Sequence, residues 1–394
     1  MVTEVVEVHG GQDPRVDLDY WKHLLGPIIG SLLKSTGSYS PADQDEHLRV
    51  LSEYVIPNLG PRPSVAHTSS FITQTGCPLQ PSIYFCSSGK PLVRYSWELL
   101  GPRGGSDGDP FAIEAAQKIL SFLSTTVGFC TRWTNALLSA FSPTPEEVKV
   151  VQAMIPKWLK SFAADEQLPQ IKRLCFCFVA FDLKGPKASI KAYFNIKAKS
   201  MATGVPENEI TWNVLRNLMP SFDPALIDTL GQFLAENPAS AVDTVAVDCV
   251  DEASLSNARV KLYVVSANNS FNAVRDYITL GGRFQNKVIL KGLALLQDIW
   301  HLLLQEPEGI VNDDYNKRPN HCSPMSLYIN FEIRPDTKLP EVKIYLPLWN
   351  YVRSDEEAVN NYEEVFRRCG YEWGKEGMYW KAFESALYAL PFLI

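Results

Sequence analysis

One five-residue pattern recurs in this chain and restricts its fold more than any other feature. "IKAYF" (Ile190 to Phe194), "VKLYV" (Val260 to Val264) and "VKIYL" (Val342 to Leu346) all read apolar–Lys–apolar–Tyr–apolar. Side chains alternate across a β-strand, so Lys191 and Tyr193 share one face while Ile190, Ala192 and Phe194 take the other. Lys261 with Tyr263 and Lys343 with Tyr345 repeat this, and Arg259 extends the second copy by one step on the same face. The lysines lie 70 residues apart (191 to 261) and then 82 apart (261 to 343). "PLVRYSWE" places Arg94 about one more interval upstream. Widely spaced copies of one strand pattern indicate a degenerate structural repeat.

Two arrangements accommodate such strands. One is an antiparallel sheet with a wet face, where Lys and Tyr are ordinary. The other is a closed barrel with its apolar face outward under helices and its polar face lining a lumen. Three copies in the same order favour the barrel. Arg94, Lys191, Arg259, Lys261 and Lys343 then bring five positive charges into one lumen. Without partners, each costs several kcal/mol to bury. The expected partner is a polyanion. Diphosphate fits, because it is compact and accepts charge-assisted hydrogen bonds worth roughly 1.5–3 kcal/mol each. Neighbouring tyrosine rings can shield a carbocation with their faces. The cations stand against the overall balance, which is 37 basic to 44 acidic residues and a net charge of −7. That balance argues against nucleic acid as the main ligand.

Helical periodicity marks segments such as "DYWKHLLGPIIGSLLKS", "DPALIDTLGQFLAEN" and "NKVILKGLALLQDIWHLLLQ". "DPFAIEAAQ" sets Asp109 as the expected helix N-cap, with Pro110 at the first helical position. Between the helices lie strand pairs: "PSIYFCSS" with "KPLVRYSWEL", "RLCFCFVAFDL" with "KASIKAYFNI", "DTVAVDCVD" with "ARVKLYVV", and "SLYINFEI" with "EVKIYLPL". The rhythm is helix, strand, strand, helix, about four times over, and hairpins imply antiparallel pairing. No linker interrupts it. Residues 1–394 are therefore expected to form a single α+β domain, with 1–18 as a flexible N-terminus.

No apolar run reaches the roughly 18 residues that span a bilayer, and the acidic N-terminus lacks signal-peptide order, so a cytoplasmic location without membrane contact is expected. Eight dispersed cysteines without CxxC read as reduced thiols, with Cys175 and Cys177 as small core residues. The histidines show no HxxxH or HExxH spacing. "VNDDYNKRP" (Val311 to Pro319) carries Lys317 where a magnesium-binding DDxxD needs aspartate, and reads as a solvated loop. Lys184 in "FDLKGPK" reads as exposed at a hairpin turn. No metal site and no cofactor are expected.

"LGPRP" (Leu59 to Pro63), "VRYSWELLGP" with "DPF" downstream, "KAYF" followed by "KAKSMATG", "ARVKLY", "YITLGGR" and "VKIYLPL" occur in an order that resembles the fungal aromatic prenyltransferases of the dimethylallyltryptophan synthase type. The resemblance runs from about Tyr20 to Leu393. It implies the ABBA fold, a ten-stranded antiparallel barrel of αββα units with helices outside and a polar lumen. It also implies metal-independent transfer of a prenyl group from an allylic diphosphate, typically dimethylallyl diphosphate, to a small electron-rich aromatic acceptor, by a monomer or homodimer. By matching motif, Arg94, Lys191, Tyr193, Arg259, Lys261, Tyr263, Lys343 and Tyr345 would hold the diphosphate or shield the allyl cation. Lys343 stands where indole-acting members often carry glutamine.

Two departures qualify the resemblance. Gln80 in "GCPLQPS" stands where indole-acting relatives place the glutamate that accepts the indole N–H. A neutral amide both donates and accepts, which suits a carbonyl, phenol or amide acceptor as well as an indole, and a non-indole or atypical acceptor is the expectation. The chain also ends after "VKIYLPLWNYV" and two helical segments, without the final hairpin that closes the family's barrel. That end supports one alternative, a non-catalytic homologue that binds an aromatic or prenylated ligand; a cyclase or rearrangement catalyst acting on a preformed prenylated substrate is a further, separate reading.

Overall fold

The computed structural model describes residues 14–62, 70, 72–73, 75–85, 90–160, 173–320 and 325–389. The first hairpin, β1 (Leu79–Tyr84) and β2 (Leu92–Glu98), follows α1 (Pro14–Thr36) and α2 (Pro41–Val50). After α3 (Ile113–Val127), α4 (Arg132–Phe141) and α5 (Pro145–Lys160) comes the pair β3 (Cys177–Lys184) and β4 (Lys187–Asn195). Then α6 (Lys197–Thr203), α7 (Glu207–Asn217) and α8 (Pro224–Glu236) precede β5 (Ala241–Cys249) and β6 (Val260–Ser266). Finally α9 (Phe271–Thr279) and α10 (Lys287–Leu303) lead to β7 (Leu327–Ile333) and β8 (Glu341–Tyr345), followed by α11 (Asp355–Arg368) and α12 (Met378–Tyr388). Pro14 to Leu18 are thus helical, not part of a flexible tail; residues 1–13 lie outside the described residues.

All eight strands join one antiparallel sheet in sequence order, β1 to β8. Outer positions of the strands are apolar and fully covered: Val93 and Trp97, Val179 and Leu183, Ala192 and Phe194, Val260 and Leu262, Ile329 and Phe331. They form one core with Leu25 and Ile29 of α1, Leu120 of α3, Leu137 of α4 and Leu230 of α8. Burial of each such side chain stabilises by about 1.5–3 kcal/mol, and covering this face forces the alternate residues inward.

The sheet curls into a half-barrel. Tyr345 on β8 acts electrostatically on Arg94 of β2, which requires strands far apart in order to approach across the concave face. Among the described residues the sheet has eight strands, with β1 and β8 outermost, in line with the expected ABBA architecture lacking its last hairpin. Asp109 does cap α3, but not from the adjacent position. Its carboxylate accepts from the backbone N–H groups of Ile113 at 2.7 Å and Ala115 at 3.0 Å, while Ala112 takes the left-handed conformation before the helix. No described helix is long and apolar enough to cross a membrane.

Candidate functional site

The concave face collects the residues that the repeat singles out. Register makes this inevitable. Val260 and Leu262 point into the helix layer, so Arg259, Lys261 and Tyr263 point into the lumen. The same phase brings in Arg94 from β2, Lys191 and Tyr193 from β4, and Lys343 and Tyr345 from β8.

The cations are not left unpartnered, which corrects the expectation of bare lumen charges awaiting a polyanion. Three inward carboxylates interleave with them. Asp182 of β3 accepts from Arg94 Nη2 at 3.0 Å and also from Lys191 Nζ. Both carboxylate oxygens of Asp248 of β5 accept from one edge of the Arg259 guanidinium, Nε at 2.7 Å and Nη2 at 3.1 Å. Glu332 of β7 faces three cations: Arg259 Nη1 at 3.3 Å, Lys261 Nζ at 3.3 Å and Lys343 Nζ. Lys191, Lys261 and Glu332 are only 2%, 6% and 3% exposed. At that depth an unpaired charge is costly, and the sheet supplies counter-ions from neighbouring strands. Five cations against three carboxylates still leave an excess of positive charge.

The excess registers in the protonation equilibria. Burial, then repulsion from Lys191 and Arg259, pushes the Lys261 ammonium down to about 8 despite the opposing pull of Glu332 and Asp248. Burial alone would raise the Glu332 carboxyl, but attraction to Lys261, hydrogen bonding to Lys343 and the charges of Lys343 and Arg259 hold it at about 2. Burial also opposes charge on Arg94, yet hydrogen bonding and attraction to Asp182 leave the guanidinium above its usual value.

One step along the strands from this charged row lies an aromatic band. Phe178 stacks on Tyr193 with ring centroids 4.4 Å apart and planes 13° from parallel. Tyr193 meets Tyr263 at 5.7 Å, and Tyr263 meets Tyr328 at 5.3 Å and Tyr345 at 5.9 Å. Burial drives the phenols of Tyr193 and Tyr263 above their ordinary range, so they stay protonated as donors. Gln80 lies on β1, exposed, opposite Ser96 in register and one step from the Ser82–Arg94 pair. Its register row continues through Ser96 and Ala180 to Lys191, which places it on the same concave face at the outer strand, one step nearer the aromatic band than Arg94.

Sequence reasoning missed Asp182, Asp248, Glu332, Phe178 and Tyr328. The first three carried a readable signal: each is an acid in an apolar strand, in phase with the lumen cations rather than with the core. Lys184 is exposed at its hairpin as expected. The 311–319 loop alternates between exposed and half-buried residues and is anchored more firmly than a solvated loop. Asp313 accepts from Arg275 and Gln297, and Lys317 Nζ donates to Leu304 O at 2.7 Å. No group of three or more His, Cys, Asp or Glu residues suited to hold a metal ion occurs among the described residues.

A compact anion held by the cation row would place any carbon it carries against the ring band. The profile of the family described as tryptophan dimethylallyltransferase matches residues 17–381. The indole diterpene prenyltransferase terF of Tolypocladium album is 60% identical over 93% of this chain and 85% of its own length. The indole diterpene prenyltransferase ltmF of Epichloe festucae var. lolii is 44% identical over 98% of this chain and 89% of its own. Among solved structures, AnaPT from Neosartorya fischeri superimposes with a TM-score of 0.74 at 25% identity, over 94% of this chain and 84% of that one. The NotF prenyltransferase gives a TM-score of 0.76 at 22% identity, over 96% and 88%.

Proposed function

Because the chain belongs to the tryptophan dimethylallyltransferase family, we propose that it transfers a dimethylallyl group from its diphosphate to an indole-bearing polycyclic acceptor. The observation that carries this reading is the junction of cation row and ring band on strands β4, β6 and β8. Lys191 and Tyr193, Lys261 and Tyr263, and Lys343 and Tyr345 are each two residues apart on one face. Diphosphate enters the row and takes over hydrogen bonds now made to Asp182, Asp248 and Glu332. As the C–O bond breaks, negative charge grows on oxygens surrounded by fixed donors, which cost no reorganisation at that moment. The allyl cation is held between tyrosine faces, away from water, until the acceptor attacks it.

The relatives' names speak for an indole diterpene as acceptor and give no support to a non-indole one. Gln80 is read here as a neutral contact to the acceptor. Gln80→Glu is expected to raise the preference for indole acceptors by tenfold or less, since an exposed carboxylate gains little over a neutral amide. A one-pot competition between an indole and a phenol measures the ratio, and an unchanged ratio would remove Gln80 from acceptor selection.

Five lumen cations supply the charge that a divalent ion would otherwise bring, so turnover is expected to persist in EDTA. Loss of activity that only magnesium restores would contradict this. The complete set of cations speaks against a non-catalytic homologue. Incubating the chain with dimethylallyl diphosphate and an indole diterpene tests the function directly. Diphosphate release together with a prenylated product is the expected result, and release without product would favour a different acceptor class.

A further inference from the structure

Asp243 is a carboxylate at the aromatic end of the lumen for which no salt bridge occurs among the described residues. The β5–β6 register shifts between Val242 and Thr244, and Asp243 is the extra residue. Such bulges re-aim side chains beside functional sites. Here the bulge turns Asp243 toward lumen residues. Its carboxylate accepts from Tyr328 Oη, from Thr244 Oγ1 at 2.8 Å and from Asn195 Nδ2 at 3.3 Å. All three donors are neutral. The other acid at this end, Glu98, is already held by Arg173, whose Nη2 donates to Oε2 at 3.1 Å. Asp182, Asp248 and Glu332 are likewise held by cations.

Tyr328 links this carboxylate to the ring band. Its ring stacks on Tyr263 at 5.3 Å and 29°, while its hydroxyl reaches Asp243. Burial, then the charge of Asp243, raises the Tyr328 phenol well above its usual value, so it remains a donor. The lumen is therefore polarised: excess positive charge at one end, an uncompensated negative charge at the other. Prenyl transfer generates charge in the same sense, negative on the departing diphosphate and positive on the acceptor.

We propose that Tyr328 and Asp243 form the proton-accepting pair for the prenylated acceptor. After attack on the allyl cation, the attacked ring carbon is tetrahedral and still carries its proton, while the positive charge is spread over the rest of the indole ring. That C–H bond breaks and its electron pair stays with the acceptor. The proton passes to the Tyr328 oxygen as the phenolic proton passes to Asp243 Oδ2. A neutral product and a protonated Asp243 result, and water later removes that proton. No oxidant or other co-reactant is needed. The proposal rests on the transfer reading given above.

The test uses the full chain with dimethylallyl diphosphate and an indole acceptor that it turns over. Positioned acid–base groups contribute about 10²–10⁴-fold, so Asp243→Ala is expected to lower kcat about 100-fold. The KM for dimethylallyl diphosphate and the affinity for inorganic diphosphate are expected to stay within about twofold, since the cation row is untouched. Added formate, as a replacement carboxylate, is expected to restore about tenfold of the loss. Tyr328→Phe, which keeps the ring stack, is expected to lower kcat about tenfold with no response to formate. A kcat within about threefold of wild type in either variant overturns the proposal. So does a loss in Asp243→Ala that formate does not touch and that raises KM in proportion. If Asp243→Ala fails to fold, Tyr328→Phe decides alone. Failure of the underlying reading looks different: the wild-type chain binds inorganic diphosphate but prenylates no acceptor, and the proposal falls with it.

Discussion

Replacing Glu332 with glutamine is expected to destabilise the unliganded protein by about 3–5 kcal/mol, the range for removing one partner of a buried ion pair, while tightening its grip on inorganic diphosphate. The two effects share one cause. Glu332 faces Arg259, Lys261 and Lys343, all within ion-pair distance. The amide can accept a hydrogen bond but carries no charge, so three cations are left under-neutralised in a deeply buried row. Diphosphate then meets donors that no longer have a competing carboxylate to leave. With each charge-assisted bond worth roughly 1.5–3 kcal/mol, a gain in affinity of about tenfold or more is expected. The pH dependence supplies a second readout. Glu332 titrates at about 2 in the folded chain, below the roughly 4.3 of an unfolded glutamate. Its stabilisation is therefore complete above about 4.3 and is lost as pH falls toward 2. Glu332→Gln removes that part of the acid limb. Denaturant midpoints across pH and calorimetry with inorganic diphosphate measure both effects. Diphosphate binding that weakens in Glu332→Gln would show that the carboxylate orients the cations rather than competing for them.

The lumen cations were legible because strand alternation is a local rule. Once Val260 and Leu262 belong to the core, Arg259, Lys261 and Tyr263 have only one place to go. The four strand pairs were legible for the same reason, each a pair of alternating runs joined by a turn or loop, the longest being the β5–β6 connector. The counter-ions follow the identical rule, but pairing Asp182, Asp248 and Glu332 with cations requires knowing which strands are neighbours. The register supplies that: Glu332 lies opposite Lys261, and Asp248 opposite Lys191. Asp243 was not legible at all. A bulge breaks the two-residue period, and its position is set by β5–β6 pairing across the sheet rather than by local sequence. Asp109 illustrates a milder case: its capping chemistry was readable, whereas the left-handed Ala112 between cap and helix was not.

Lys261→Met is expected to separate folding from function in the opposite sense to Glu332→Gln. The folded chain holds Lys261 at about 8, below the roughly 10.4 of an unfolded lysine. Between those values the unfolded chain binds more protons, so stability rises with pH across that window. Below about 8 the cost of holding the ammonium charged is fully present. Methionine keeps much of the stem's volume and removes the charge, so thermal stability at neutral pH is expected to hold or increase, and the rise between pH 8 and 10 to flatten. Arg259 and Lys343 remain to neutralise Glu332. Function should move the other way. Lys261 is buried beside Glu332 and one strand step from Tyr263, at the junction where the proposed reaction would part the leaving group from the allyl cation. Loss of one preorganised donor to developing negative charge typically costs about 10²–10³ in kcat. Loss of one charge-assisted bond weakens ground-state binding by about 1.5–3 kcal/mol, or roughly 10- to 150-fold. Calorimetry with inorganic diphosphate reads the second quantity without any assumption about the acceptor. Unchanged diphosphate affinity in a folded Lys261→Met protein would place the anion elsewhere on the concave face, and with it the point at which the C–O bond breaks.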